Sequence, residues 1–434
     1  MNNNEKNVLI IGLGYVGLTL AVHLAKKGLN IFGVEIDKSI VESIKNRKAH
    51  FYEPGIDTLI NKYYKKSFFV TEEIEKLKYD YIIISVGTPL QNGIKDPDMG
   101  YLSHALESIK DVYNGSTHII LRSTVAVGTT KTHVLPIIKN WEKNNGNEIL
   151  LSFCPERTAE GVALLELETL PQIISGINNS SVQSASKLFV DVSNEVIESP
   201  SVEAAELAKL FNNVYRDVNF SIGNIFNHIA QSFNVDGKEM IELANKGYDR
   251  SNIASPGFVG GPCLEKDSYI LASNMENSLE RSSIVTLREY NRKLEDDIVN
   301  WVRNNIKKES PILISGLAFK GNPPTSDLRG SNALKIVSEL SNEYELFVHD
   351  YFVPHNILKR IDNVQLIENF DSIGTNKVNL FLILNNAKKY HQLDQIALSK
   401  ILDTEGTIFD SWDVLPFSAT KNFSTKTIGN YRIK

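Results

Sequence analysis

Cys263 lies in the run Gly257-Phe258-Val259-Gly260-Gly261-Pro262-Cys263-Leu264-Glu265-Lys266-Asp267, where a cation and a carboxylate follow the thiol within four residues. A sulfur held as thiolate is a strong nucleophile, and a positive charge with a base beside it makes one usable. The glycines ahead of it let a flat substrate approach the backbone. A buried, inert cysteine is the ordinary alternative, and the flanking charges argue against it. Cys154 is the only other cysteine, so one disulfide at most is available. Lys209 and Asn213 are four apart in a stretch without a helix breaker, which places an ammonium and an amide on one helical face as paired donors to an oxyanion. Glu156 and Glu160, also four apart, offer two carboxylates whose surroundings can set different pKa values. Taken singly, each of these charges reads as a solvated surface group.

A second constellation opens the chain. Gly12-Leu13-Gly14-Tyr15-Val16-Gly17 follows a β-rich run and begins a helical pattern, the context in which glycines bring backbone amides and a helix N-terminus up to a pyrophosphate. A second β-rich run ends at Gly33-Val34-Glu35, eighteen residues beyond Gly17, and supplies a carboxylate for a ribose. Its charge would repel a 2'-phosphate, so Glu35 selects NAD over NADP. Asp37, two residues on, is able to share or take over that role. Ser85-Val86-Gly87-Thr88-Pro89 and Ser123-Thr124 follow further β-rich runs and put small polar groups at the carboxyl edge of a sheet, where ligands bind in open α/β folds. A plain loop or a helix cap explains each of them equally well.

The elements that must carry these residues read as follows. Runs at 8–11, 31–34, 81–86 and 118–122 alternate with amphipathic helical stretches, which predicts a parallel α/β sheet. Runs at 149–153 and 172–175 are expected to extend that sheet, and 196–199 to close the unit. From 202 to about 228 Ala204, Leu207, Ala208, Phe211, Val214, Tyr215 and Val218 recur at helical spacing, predicting one long connecting helix. Further helical pattern to about 305, broken by a loop at 255–261, predicts a small all-helical middle domain, a common place for a dimer interface. After Pro311 the α/β alternation returns, with strands expected at 312–315, 346–349, 380–384 and 407–410. The fold class is thus α/β: two Rossmann-like doubly wound domains, 1–199 and 306–434, joined by a long central helix and a helical middle domain, 200–305. With 42% apolar and 23% charged residues the chain is an ordinary folded protein, and its formal net charge of -6 argues against a general grip on nucleic acid. Its longest apolar runs fall far short of the roughly 20 residues that cross a bilayer. Residues 1–7 are polar with no signal-peptide hydrophobic region, so the expected location is the cytoplasm. No group of residues reads as a metal site.

The motif Gly-Gly-Pro-Cys263-Leu-Glu-Lys-Asp267 resembles the catalytic loop Gly-Gly-x-Cys-x-x-Lys-Asp of the UDP-glucose/GDP-mannose dehydrogenase family. The resemblance covers nearly the whole chain: the opening Gly-x-Gly-Tyr15-Val16-Gly-Leu, Glu53-Pro54-Gly55, Ser123-Thr124 with Gly128-Thr129-Thr130, Pro155-Glu156-Arg157, and Phe319-Lys320-Gly321. It implies NAD-dependent four-electron oxidation of a sugar C6 alcohol to a carboxylate, two NAD being reduced per sugar. That chemistry needs two hydride departures and one added water. An aldehyde has no second carbinol hydrogen to give; addition of Cys263 makes a thiohemiacetal that does, and the second oxidation leaves a thioester for hydrolysis.

By similarity, Lys209 and Asn213 stabilise the alkoxide and oxyanion, Glu156 is the general acid/base, Glu160 lines the cofactor and substrate cleft, and Thr124 and Asp267 partner the catalytic water and the thiol. Gly12, Gly14, Tyr15, Val16, Gly17, Glu35, Thr88, Ser123 and Thr124 fall to the cofactor. Arg157, Phe258, Gly260, Phe319 and Lys320 fall to the UDP-sugar, and Arg329 of Asp327-Leu328-Arg329 to the cofactor region. The segment from Phe319 to Arg329 is about two residues longer than in the family's glucose enzymes, with Pro323-Pro324 in the extra turn. Arg250 matches an arginine that enters the substrate site from a neighbouring subunit, which implies a homodimer. Where glucose- and mannose-specific members read Pro-Glu-Phe-Leu, this chain has Pro155-Glu156-Arg157-Thr158, similar to the branch acting on UDP-N-acetylhexosamines. UDP-N-acetylmannosamine or another UDP-N-acetylhexosamine is the expected substrate, with UDP-glucose the alternative and a surface polysaccharide the expected destination. Two other readings stay open: a NAD-binding protein without turnover, and a two-electron hydroxyacid dehydrogenase. The number of NADH formed per substrate separates all three.

Overall fold

The computed structural model describes residues 6–91, 95–141, 147–276, 278–373 and 377–433. The first five residues of the polar N-terminal stretch lie outside that set. The chain forms two compact units, Met1–Asn212 with Tyr269–Asn277, and Asn213–Ser268 with Ser278–Lys434.

In the first unit β1 (Asn7–Ile11), β2 (Asn30–Val34), β3 (Phe68–Thr71), β4 (Tyr81–Ile84), β5 (His118–Leu121) and β6 (Leu151–Phe153) make a six-stranded parallel sheet in the order β3-β2-β1-β4-β5-β6. Val8 of β1 pairs with Ile31 on one side and Tyr81 on the other. The inner strands β4 and β5 are buried at every position because helices cover both faces of a parallel sheet. The strand order reverses between β1 and β4, which places the ends of these strands at the switch point where open α/β sheets take ligands. β3 is a strand that periodicity alone does not announce.

One sheet expectation fails. β7 (Gln172–Ile174) and β8 (Val196–Glu198) do not extend the main sheet; they pair with each other as a separate two-stranded ribbon. The edge of β6 is met instead by the Ile177 amide on the Leu151 carbonyl and by the Ser175 hydroxyl on the Phe153 carbonyl. Those two bonds give carbonyls at the β6 edge partners without a ladder.

The second unit repeats the pattern with β9 (Pro311–Ser315), β10 (Glu345–His349), β11 (Gln365–Leu366), β12 (Val378–Ile383), β13 (Leu402–Asp410) and β14 (Ser424–Thr427), ordered β11-β10-β9-β12-β13-β14. A 31-residue helix spans Val202–Ser232, and its chain passes from the first unit to the second at Asn213. Its length matches the sequence expectation but its orientation does not follow from apolar spacing. Glu206, Lys209, Asn213, Asp217, Asn224, Asn227 and Gln231 are buried, while Phe211, Tyr215, Phe226, Ile229 and Phe233 are exposed. Among the described residues no helix is long and apolar enough to cross a membrane.

Candidate active site

Each glycine of the opening motif has a distinct physical reason. Gly12 takes φ +88°, the left-handed region, to turn the chain out of β1. A side chain at Gly17 would begin 1.9 Å from the Gly12 carbonyl, so the helix Tyr15–Lys26 can pack against the turn only without one. Gly14 faces open space, with nothing within 4 Å of where a Cβ would lie, and stands at the N-terminus of that helix. This is the room a pyrophosphate needs. Ser85 braces the turn by donating its hydroxyl to the Gly12 carbonyl at 2.8 Å. Glu35 at the end of β2 accepts the Leu13 amide at 2.9 Å and the Asp37 amide at 3.0 Å, one on each oxygen. Asp37 caps the next helix, accepting the Ser39 amide at 2.8 Å on one of its oxygens. A cleft of about 520 Å³ opens here, walled by Gly14, Glu35, Ile36, Ile74 and Val86. An unobstructed glycine at a helix N-terminus, a carboxylate at the neighbouring strand end and a cleft of that size fit NAD.

The other residues expected at the cofactor sit nearby with defined partners. The Tyr15 hydroxyl donates to Glu53, packs its ring 4.6 Å from that of Phe51, and receives the Gly161 amide at 2.9 Å. Burial and the Glu53 carboxylate raise its pKa far above the ordinary phenol value. Glu53 also accepts the Gly161 and Leu164 amides, at 2.8 and 3.2 Å, and so ties the loop carrying Glu160 to the glycine-motif helix. Val16 is the second residue of that helix. Thr88 donates to the Thr124 carbonyl at 2.5 Å and Ser123 to the Val86 carbonyl at 2.7 Å, so the loops after β4 and β5 brace each other.

Glu156 is buried and carries a heavy load of donors. Arg122 pairs with it, and the Arg157 and Thr158 amides donate at 2.7 and 2.6 Å. Burial alone would raise its pKa; the Arg122 guanidinium, the Thr158 amide and the Lys209 ammonium outweigh burial and hold it below the usual carboxylate range. Lys209 is itself buried, and among the described residues no hydrogen bond or ion pair engages its ammonium. Arg157 turns its guanidinium to the Pro171 carbonyl.

The thiol loop belongs to the second unit. Cys263 is exposed and outside any disulfide, immediately before the helix Leu264–Ser273, and its carbonyl accepts the Lys266 and Asp267 amides at 3.1 and 2.9 Å. The start of a helix favours negative charge at such a position. Lys266 and Asp267 pair with each other at 2.9 Å, and the buried Asp267 carboxylate also accepts Asn213 at 2.6 Å. Cys154, by contrast, is buried, and burial pushes its thiol up to about 12.

The glycines before Cys263 do not leave space for a flat substrate as expected. A Cβ at Gly257 would meet the Trp412 ring at 2.5 Å, one at Gly260 the Gly330 carbonyl at 2.3 Å, and one at Gly261 the Phe319 ring at 2.7 Å. Protein fills the room that glycine leaves. Phe258 is likewise buried in the core of this unit. Phe319 therefore reaches the thiol loop, with Lys320 over its ring at 5.5 Å. Arg329 folds back on Asp327, donating to both of its oxygens. Arg250 stands on an exposed loop, its guanidinium 4.7 Å from the Tyr248 ring centroid.

Several supporting residues went unread in the sequence. Arg122 holds Glu156. Glu206, fully buried one turn before Lys209, accepts the Gly128 and Thr130 amides at 2.6 and 3.0 Å and the Thr130 hydroxyl at 2.6 Å, clamping the loop that begins at Ser123. Arg288, wholly buried, donates to Asp217 at 2.8 Å and to the Val259 and Leu264 carbonyls on either side of Cys263, at 3.0 and 3.3 Å. The helical spacing of Glu206, Lys209, Asn213 and Asp217 was a usable signal for one shared polar face.

Models of the UDP-glucose/GDP-mannose dehydrogenase family match three consecutive stretches: its NAD binding domain at 6–193, its central domain at 203–293 and its UDP binding domain at 313–416. The UDP-N-acetyl-D-mannosamine dehydrogenase of Methanocaldococcus jannaschii is 34% identical over 82% of this chain and 83% of its own length. The enzyme so named from Methanococcus vannielii is 30% identical over 98% and 97%. Among solved structures, the UDP-N-acetyl-mannosamine dehydrogenase Cap5O of Staphylococcus aureus superimposes with a TM-score of 0.84 at 28% identity, covering 98% of each chain. The chain belongs to the UDP-glucose/GDP-mannose dehydrogenase family. It is an NAD-dependent oxidoreductase of nucleotide sugars.

Proposed function

We propose that the chain oxidises the C6 hydroxyl of a UDP-N-acetylhexosamine, foremost UDP-N-acetyl-D-mannosamine, to the carboxylate through a covalent adduct on Cys263. The observation that carries this reading is an exposed thiol at a helix N-terminus, followed one turn later by a buried aspartate that Asn213 and Lys266 hold in place. NAD, when bound at Gly12, Gly14, Gly17 and Glu35, supplies the hydride acceptor for each of two oxidations. In the first, C6 loses a hydride and its hydroxyl a proton. The Cys263 sulfur then adds to the aldehyde carbon, and the thiohemiacetal loses the second hydride to become a thioester. Water attacks that carbonyl, the C–S bond breaks, and the thiol is restored.

The residues have corresponding work. The buried Lys209 ammonium and the Asn213 amide, one helical turn apart, suit the alkoxide and the tetrahedral oxyanion. Glu156, kept ionised by Arg122, acts as an acceptor that orients water or substrate rather than as an acid at neutral pH. Asp267 orients Asn213, and Thr124 serves the water. Arg157, tied to Pro171, fixes the loop after Glu156, and the names of the relatives favour N-acetylmannosamine over glucose. Segments 1–199, 200–305 and 306–434 would then bind cofactor, carry the thiol and bind the UDP moiety. We place the reaction in the cytoplasm, in a homodimer, feeding a surface polysaccharide.

A panel of UDP-sugars with NAD tests this. The expectation is two NADH per sugar with fastest turnover on UDP-N-acetylmannosamine, and Cys263→Ser releasing no free acid, with turnover down by roughly three orders of magnitude. One NADH per sugar, undisturbed by Cys263→Ser, would rule out the thioester route. Faster turnover of UDP-glucose would reassign the sugar.

A further inference from the structure

The run Glu53-Pro54-Gly55 takes no part in the chemistry proposed for Cys263, yet its glutamate joins the starts of two helices in the first unit. Gly55 takes φ +85° and opens the helix Ile56–Tyr63, and the Glu53 carbonyl accepts the Ile56 amide at 3.3 Å. That turn fixes the backbone from which the Glu53 side chain runs inward, leaving the residue 5% exposed. A carboxylate taken out of water is costly unless its oxygens find donors. Oε2 accepts the Tyr15 hydroxyl and also the Gly161 amide, the latter at 2.8 Å, and Oε1 accepts the Leu164 amide at 3.2 Å.

These donors stand where the site is built. Tyr15 is the first residue of the helix that Gly14 opens at the cofactor cleft. Leu164 is the second residue of the helix Ala163–Thr169, which follows the loop carrying Glu156, Arg157 and Glu160. The N-cap position of that helix is taken by Val162, whose side chain has no acceptor, so the Leu164 amide finds its oxygen on Glu53, 111 residues away in sequence. A negative charge at a helix start is favourable in its own right. Gly161, at φ +89°, bends the loop so that its amide meets both the Glu53 carboxylate and the Tyr15 oxygen, the second at 2.9 Å. One carboxylate oxygen thus sets the register between the cofactor helix and the loop. A displacement of about 1 Å in a group that meets reacting atoms costs on the order of a hundredfold in rate.

We propose that Glu53 is a positioning residue for the oxidation, which together with Tyr15 holds the loop 156–161 in register with the cofactor helix. The proposal rests on the reading that Glu156 works at the reacting sugar. The test uses the full-length chain with NAD and whichever UDP-sugar it turns over fastest, and compares Glu53→Gln, Tyr15→Phe, the double variant and Glu156→Gln. Glu53→Gln keeps the shape of the side chain and replaces one acceptor oxygen by an NH2 group. The expected kcat is about tenfold or more below the parent's in each single variant, and the double variant is no slower than the slower of the two, because one linkage is cut twice. The NAD Kd, measured by calorimetry, stays within roughly threefold of the parent's. A part in folding alone would lower the thermal midpoint and leave kcat untouched. An unchanged kcat in Tyr15→Phe, or losses that multiply in the double variant, would overturn the positioning role. So would a weakened NAD Kd with kcat intact at saturation, which would make the pair a cofactor contact. Should Glu53→Gln fail to fold, Tyr15→Phe decides alone, since it leaves the carboxylate and both amides in place. Glu156→Gln separates the two readings: a loss there with none in the Glu53 and Tyr15 variants overturns the positioning role alone, whereas no loss in any variant overturns the role of the loop as well.

Discussion

The buried titratable side chains set how this protein responds to acid. His118 lies between the Ser184 and Ser152 hydroxyls at 2.9 Å each, and burial lowers its pKa to about 3. His23 and His349 are lowered to about 4, chiefly by burial and secondly by a neighbouring basic side chain, Lys27 for the one and His355 for the other. A base whose folded pKa lies below its unfolded value near 6.5 is fully stabilising above pH 6.5, and that contribution is lost as pH falls toward the folded value. At pH 5 each histidine costs about 2 kcal/mol of stability. The thermal midpoint should therefore fall steeply between pH 6.5 and 5, and less steeply in His118→Gln, which keeps hydrogen bonds to the serines. Equal slopes for variant and parent would refute the assignment. Glu156 and its low pKa operate further down the scale, below the unfolded carboxylate value of about 4.5. The sequence displayed Cys263, Lys209, Asn213 and Glu156 because each sits in a recognisable short run. It hid Arg122, Glu206 and Arg288, whose partners are distant in the chain: Arg122 and Glu156 are 34 residues apart, Arg288 and Asp217 71.

Among the elements, the helix Val202–Ser232 and the thiol loop depend on one buried polar network. Arg288 from the helix Leu279–Asn305 joins Asp217 to the backbone on both sides of Cys263, with Ser268 and Asn291 completing the Asp217 shell at 2.6 and 2.8 Å. Burial raises the Asp217 pKa despite the Arg288 charge. Removing the cation leaves a buried carboxylate without compensation, which costs about 3–5 kcal/mol. Arg288→Leu should lower the urea midpoint accordingly, and a loss of under about 1 kcal/mol would mean that the network contributes little. Periodicity announced this helix correctly, since a 3.6-residue repeat is the same whichever face is buried. Apolar spacing does not state which face is buried, and here Lys209, Asn213 and Asp217 turn inward while Phe211 and Tyr215 are exposed. The ribbon of β7 and β8 was misjudged for a related reason: a short apolar run states that it is a strand but not which edge it joins.

For the whole molecule, the consequence of an inward polar face is an outward apolar one. Tyr215, Phe226 and Ile229 are 62%, 44% and 51% exposed along one stripe of the helix, Phe233 just past its end is 75% exposed, and Met240 and Leu243 of the next helix are also exposed. A stripe of that kind calls for a partner, and a second copy of the chain is the self-complementary choice. Sedimentation should report twice the chain mass, and Tyr215→Glu with Phe233→Glu should yield the single chain; a monomeric parent protein would exclude the dimer.

Asn227 and Gln231 both donate to the Ile428 carbonyl, and Trp412 fills the notch at Gly257. The segment that carries Trp412 and Ile428 is thus part of the scaffold beneath the Cys263 loop. A stop codon placed just ahead of Trp412 would spare every side chain proposed for the chemistry and still strip the loop of the mould that shapes it.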